Sequence, residues 1–316
     1  MHLQFTTTMD VTTALASARE VVFSPDAAVW RAHVRLFHFF PMLCPLMAAI
    51  TTPMGKTSIS SILNLPGKLS WMLMELVSPL SFCLTIYLNC QSPLSTLAAL
   101  PTTHKVLTTL YFIHYANRAI ISPLRAPAYA PAHIVVLLIA SAFNYLNAYG
   151  LAGWLLWHGR INTDGFAGKV RFAVGVAVWA VGFAGNVWHE DVLYEIRRRA
   201  KREDAVLRDR KKTDVGGGMQ VVDTGEDRLV VRAPNGHIYE VPQGGLYEYC
   251  WHPHYFMEWV EWTGYLIAAG WCPPAVNLLV NEIALMTPRA FQGVEFYRAR
   301  FGRRMPVRRA VVPFFL

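Results

Sequence analysis

The stretch Ile238–Tyr265, I-Y-E-V-P-Q-G-G-L-Y-E-Y-C-W-H-P-H-Y-F-M-E-W-V-E-W-T-G-Y, decides how the rest of the chain is read. Its first part is a turn. Pro242 fixes one backbone angle, and Gly244-Gly245 permits positive φ. After Pro253 the pattern predicts a helix in which His254, Glu258 and Glu261 fall at i, i+4 and i+7 and project from one face. Trp251, Trp259 and Trp262 flank that face, and an apolar run from Gly264 to Val280 follows. Two carboxylates at the head of such a run are costly in a bilayer and point to a functional site; an interfacial helix with solvated acids is the plainer alternative.

Outward from this segment the composition points to a membrane. Of the 316 residues, 53% are apolar and only 16% charged. Apolar runs near Leu36–Thr51, Ser70–Leu88, Val106–Ile121, Ile134–Trp157, Phe172–Trp188, Tyr255–Cys272 and Ala275–Leu285 predict an all-α polytopic membrane protein of about seven transmembrane helices. The net charge of +8 is unevenly placed: 11 Lys/Arg lie between Arg197 and Arg232 and 7 between Arg289 and Arg309. Two spans separate these segments, so they share a side, which the positive-inside rule makes cytosolic, with the N-terminus lumenal. Basic segments so placed suit lipid headgroups or the phosphates of a cofactor, and no nucleic-acid or protein partner is inferred. The five cysteines form no C-x-x-C pair and read as buried thiols, and no metal site is expected. Residues 1–30 form a lead without the marks of a cleaved signal peptide, ahead of a membrane domain at 31–316. Within that domain 198–237 is a hydrophilic insertion, expected to be a helical extension followed by a loop or small hairpin. It shows no apolar periodicity, so deletion of 203–232 is expected to leave the membrane fold intact.

Polar residues inside the apolar runs are the other candidates. Glu75 sits in W-M-L-M-E-L one turn after Trp71, where a carboxylate costs about 2.5–3.5 kcal/mol on insertion scales. In Y-F-I-H-Y-A-N-R, Tyr111, Tyr115 and Arg118 share a stripe, and in A-F-N-Y-L-N, Phe143 and Asn147 lie one turn apart. Asn186, Glu190, Leu193 and Arg197 form one face leaving the membrane. His189-Glu190-Asp191 lacks the second histidine that H-E-x-x-H requires, and neither a Rossmann fingerprint nor a P-loop is present.

P-Q-G-G-L-Y-E-Y, H-Y-F-M-E-W-V-E-W-T-G-Y and the terminal R-R-A-V-V-P-F-F-L resemble the C-terminal domain of the steroid 5α-reductases, over about Pro53 to Leu316. The resemblance implies a multi-helix enzyme of the endoplasmic reticulum membrane that uses NADPH to reduce a carbon–carbon double bond conjugated to a carbonyl in a steroid or other lipid. It places Glu75 and Tyr115 on the substrate carbonyl, as joint donors with Glu75 protonated, and Trp71, Phe143 and Trp262 around the substrate. Asn186, Glu190, Arg197, His254, Glu258, Tyr297 and Arg308 fall at cofactor positions, and Pro53–Lys56 resembles the family's Pro-x-Gly-basic loop. The chain departs from the pattern at Glu190, usually Asp; at Glu240, commonly basic; and at His254, Met257 and Gly293, where Asn, Gly and His are usual. Rival readings are a polyprenol or enoyl-CoA reductase of the same superfamily, and an isoprenylcysteine carboxyl methyltransferase, which shares the H-P-x-Y pattern.

Overall fold

The computed structural model describes residues 20–50, 53, 59–210, 220–222, 228–233 and 236–316; Met54–Lys56 of the expected loop lie outside them. Among the described residues seven helices have 12 residues or more: α1 Ala27–His38, α2 Gly67–Asn89, α3 Thr102–Ala116, α4 Ile134–Gly153, α5 Gly165–Arg210, α6 Pro253–Ala269 and α7 Pro273–Phe301; the last six lie along their apolar stretches, whereas α1 meets the first only at Leu36–His38. Among the described residues four regions are long and apolar enough to cross a membrane: Ala27–Ala49, Gly67–Asn89, Ile134–His158 and Gly165–Glu203. The expected count of seven is therefore met as helices and only in part as membrane-length spans. At 15 and 17 residues, α3 and α6 fall short of the roughly 20 that cross unaided.

The first span begins nine residues earlier than its apolar run suggested. Asp26 caps α1 by accepting from the Ala28 and Val29 amides, at 2.8 and 3.0 Å. The helix stops at Phe39, where Pro41 and Pro45 turn the chain into a 3₁₀ segment, Phe40–Leu43, and a short helix, Cys44–Ala49. Strands β1 (Asn64–Leu65) and β2 (Ala132–His133) pair antiparallel and tie the start of α2 to the start of α4.

The α5–α6 pair forms the backbone of the molecule, and glycine makes it possible. A Cβ at Gly182 would lie 2.2 Å from the Glu261 amide nitrogen, and one at Gly264 would lie 2.2 Å from that of Trp179. The two backbones therefore touch, as small residues allow in membrane helix pairs.

The insertion takes the second of its two expected forms, a small hairpin after a helical extension. After α5, strands β3 (Gln220–Val222), β4 (Val230–Arg232) and β5 (Ile238–Glu240) form an antiparallel sheet in that order. Val231 of β4 is buried with Val241, Trp251, Tyr297 and Phe301. Removing 203–232 would take Val231 from that cluster. Glu240 of β5 pairs with Arg199 of α5 at 2.7 Å and with Arg228 at 3.1 Å, which clamps the sheet to the helix.

Candidate functional site

The P-Q-G-G segment folds as expected, with positive φ at Gly244 (91°) and Gly245 (56°). The segment is locked from two sides. On α5, His189 accepts from the Leu246 amide through Nε2 at 3.2 Å and donates through Nδ1 to the Gly185 carbonyl at 2.6 Å, so neither ring nitrogen is left for a metal. From the C-terminus, Arg309 and Ala310 run alongside: the amides of Trp251 and His252 donate to their carbonyls at 2.9 and 3.0 Å. The first quoted motif, with the residues that follow it to His252, and the terminal one are thus two sides of one platform beneath α6. Arg308 belongs to it, donating to the Pro242 carbonyl at 2.6 Å and lying 3.6 Å from Glu248, over the Trp251 ring. Burial lowers its affinity for its proton, with Glu248 opposing. Burial likewise pushes the Cys250 thiol up to about 12, so it stays an inert thiol.

Above the platform lie two cavities, of about 550 and 430 Å³. Both are in the range of small-molecule sites. The larger is polar and draws on Glu190, Arg197, His254 and Arg300 among others. The smaller is mostly apolar, with Phe143, Ile139 and Met286 in its walls, and contains Glu75, Tyr115, His114, Glu258 and Glu282. Trp71, Met74, Arg118 and Arg289 line both, so the cavities meet at a common wall.

Arg118 is the centre of that wall. Its guanidinium lies 3.5 Å from Glu75, 3.4 Å from Glu190 and 3.6 Å from Glu258, joining α2, α5 and α6. It also lies over the Trp71 ring at 4.7 Å, and the Trp71 indole donates to the Arg118 carbonyl at 3.2 Å. One cation facing three buried carboxylates in so little water is what keeps them foldable. Glu75, expected as a donor to the substrate carbonyl, lies beside the Arg118 guanidinium. Neighbouring Asn144 turns Nδ2 toward Glu75 at 3.5 Å and donates more closely to the Met74 carbonyl, at 2.8 Å.

Tyr115 completes the apolar cavity. Its hydroxyl donates to Asn144 Oδ1 at 3.2 Å and accepts from Asn147 Nδ2 at 3.0 Å. Behind it, His114 Nδ1 meets Glu261 Oε1 at 2.7 Å, and the imidazole packs on Trp262.

The expected site residues thus divide. Glu75, Tyr115, Trp71 and Phe143 share the apolar cavity; Glu190, Arg197 and His254 share the polar one. Glu258, expected at the cofactor, faces the apolar cavity. Trp262, expected at the substrate, is buried behind His114. Asn186 lies outside both cavities and holds α5 to α6 through the His254 carbonyl at 2.9 Å. Tyr297 is stacked on Trp251 and, like Arg308, lies outside both cavities. Arg118, Glu282, Arg289 and Arg300 were not among the predicted site residues. A charge inside an apolar helix was the available signal for the first two.

The family model described as 3-oxo-5-alpha-steroid 4-dehydrogenase matches residues 217–316. The chain is 33% identical over 290 residues to the Uncharacterized protein C9.08c of Schizosaccharomyces pombe, covering 86% of this chain and 94% of that one. It is 28% identical over 275 residues to the Steroid 5-alpha-reductase DET2 of Solanum lycopersicum, covering 84% and 88%. With the 3-oxo-5-alpha-steroid 4-dehydrogenase 1 of Bos taurus it shares 25% over 270 residues, covering 85% and 90%. The chain belongs to the steroid 5α-reductase family. It is a divergent member, and the structure gives reasons for three of its departures from the family pattern. A Cβ at Gly293 would lie 2.3 Å from His252 Nε2, so the glycine makes room for that imidazole. Met257 packs on Gly185, where a Cβ would lie 2.3 Å from its terminal carbon. Glu240 turns away from the cavities toward Arg199 and Arg228.

Proposed function

We propose that the chain is a membrane-embedded reductase that uses NADPH to saturate a carbon–carbon double bond conjugated to a carbonyl in a steroid or a lipid of similar shape. The observation that carries this reading is the pair of cavities meeting at Trp71, Met74, Arg118 and Arg289, one rich in guanidinium groups and one apolar with a hydroxyl at its wall. Arg197, Arg289 and Arg300 in the polar cavity have no carboxylate within ion-pair distance among the described residues, which suits the phosphates of a dinucleotide. Bound there, NADPH supplies the hydride for the β-carbon of the enone.

The chain's own residues deal with the charge that results. Negative charge moves to the carbonyl oxygen, which an apolar pocket tolerates only if a donor is already aimed at it. Tyr115 is that donor: its hydroxyl turns its hydrogen bond from Asn144 Oδ1 to the substrate oxygen while Asn147 continues to donate to it. The enolate then takes a proton from water at the α-carbon to complete the reduction. Glu75 and Arg118 fix Asn144 and the wall, which makes Glu75 a positioning residue. Phe143 and Trp71 press on the faces of a flat substrate. Methyl transfer, the rival chemistry, has no use for such a donor.

The test is consumption of NADPH by the purified protein against enone steroids, polyprenals and enoyl-CoAs. An enone steroid should be converted to a product two hydrogens heavier. Turnover restricted to an acyclic polyprenal or a thioester would move the chain to another branch of the chemistry. Methyl transfer from a sulfonium cofactor without NADPH binding would end the reading.

A further inference from the structure

Resting on that reading, we propose that Arg300 is the residue that selects a 2′-phosphorylated dinucleotide, by holding the adenosine 2′-phosphate at the end of the polar cavity remote from the shared wall. The four guanidinium groups of that cavity are not equivalent. Arg118 is engaged by three carboxylates. Arg289 lines both cavities and so belongs to the reacting end, whereas Arg300 lines the polar cavity alone. Both stand on α7, eleven residues and about 16 Å apart along the helix axis. Gln292, Gly293 and Phe296 line the cavity between them, so one face of α7 runs the length of the polar site. A nicotinamide at the shared wall directs the adenosine half along that face.

Arg300 is built to receive an anion there. Its guanidinium carbon lies 4.5 Å from the centre of the Tyr239 ring and 3.4 Å from that of Phe296, so two aromatic rings hold it in place. One edge is satisfied: Nη1 donates to the Phe296 carbonyl at 2.9 Å. Nε is buried and has no hydrogen-bond partner among the described residues. The acid adjacent to Tyr239 does not neutralise it, because both Glu240 oxygens are taken by Arg199 and Arg228. A buried donor on a cation is costly to leave unmade, and a phosphate monoester offers acceptors to the guanidinium through Nε and Nη2.

The experiment is equilibrium titration of the purified full chain with NADPH and NADH, and with the fragments 2′,5′-ADP and 5′-AMP. In Arg300→Met, NADPH affinity should fall about 10- to 100-fold, the equivalent of charge-assisted hydrogen bonds to one group. NADH affinity should stay as in the wild type, which also shows that the variant is folded. The fragments should follow, with 2′,5′-ADP weakened and 5′-AMP unaffected, and Arg300→Lys should keep part of the preference. Equal losses for both dinucleotides, or unchanged NADPH affinity, would overturn the assignment. If the wild type bound neither dinucleotide, the reductase reading would fall. The fragments would still decide Arg300: a preference for 2′,5′-ADP that Arg300→Met abolishes sustains the anion site, and no preference overturns it.

Discussion

The two cavities share a wall but balance their charge in opposite ways. The polar one sets Arg118, Arg197, Arg289 and Arg300 against Glu190 alone. The apolar one sets Glu75, Glu258 and Glu282 against Arg118 and Arg289. A surplus of guanidinium groups is stable only if water or an anionic ligand answers it, whereas Glu75 and Glu258 share the cation of Arg118. The contrast explains how one small volume can take a polyanion on one side and a neutral lipid on the other. Arg118 is the hinge of the balance, since it serves both sides through Glu190 and through Glu75 and Glu258.

Replacing that residue should have the largest effect. Arg118→Met leaves three buried carboxylates without their common cation, and breaking a buried pair in this way costs about 3–5 kcal/mol. Thermal unfolding in detergent should show a large loss of stability, with no measurable turnover. A variant as stable and as active as the wild type would mean that the three acids are neutralised by other means.

Within the apolar cavity, Tyr115→Phe removes the one donor aimed at the substrate oxygen. A single such donor is worth about 10²–10³ in rate, and NADPH affinity should not change because the polar cavity is untouched. Glu75→Gln should cost less, since it acts through Asn144, and the double variant should lose less than the two losses multiplied. Full turnover by Tyr115→Phe would remove it from the mechanism. Loss of NADPH binding would place it on the other side of the wall.

Much of this arrangement can be read from the chain itself. Pro242, Gly244-Gly245 and Pro253 mark a turn and a helix start with local signals, and both stand where those signals put them. The 3.6-residue period puts Tyr115 and Arg118 on one stripe. Period alone does not say that helices α2, α5 and α6 bring three carboxylates to that arginine, because a partner from a distant segment leaves no mark on local spacing. The place of β4 and its pairing with β5 are not legible for a different reason: three residues are too few for alternation to be detected. The start of α1 was legible and overlooked, since Asp26 before Ala27 is an N-cap pattern, but the apolar run drew attention downstream.

Behind the apolar cavity, the α5–α6 contact offers a smaller test. Gly182→Ala puts a methyl group within 2.2 Å of the Glu261 amide, and neither backbone can yield without parting the helices. Overpacking of this kind costs about 1–3 kcal/mol, and it should also pull Glu261 from His114. Thermal unfolding in detergent should show the loss, with turnover reduced and the preference between NADPH and NADH unchanged. An unaltered melting temperature would show that the glycine contact is not what holds these helices together.

The smallest effect is expected at Arg308. The family resemblance sets it among the cofactor contacts, but its guanidinium faces the Pro242 carbonyl and Glu248, and the residue lies outside both cavities. Glu248 is half exposed, so solvent screens the pair, and such pairs contribute about 0.2–1 kcal/mol. The remaining contacts, to a carbonyl and to the Trp251 ring, hold the C-terminal segment beneath α6 rather than a ligand. Arg308→Ala should therefore lower the melting temperature slightly and leave NADPH affinity within about fivefold of the wild type, the most that a screened pair can transmit. Measured beside Arg300→Met, it separates an arginine that supports the platform from one that binds phosphate. A loss at Arg308 as large as that at Arg300 would mean that the polar cavity extends under the P-Q-G-G turn and that the cofactor reaches the platform itself.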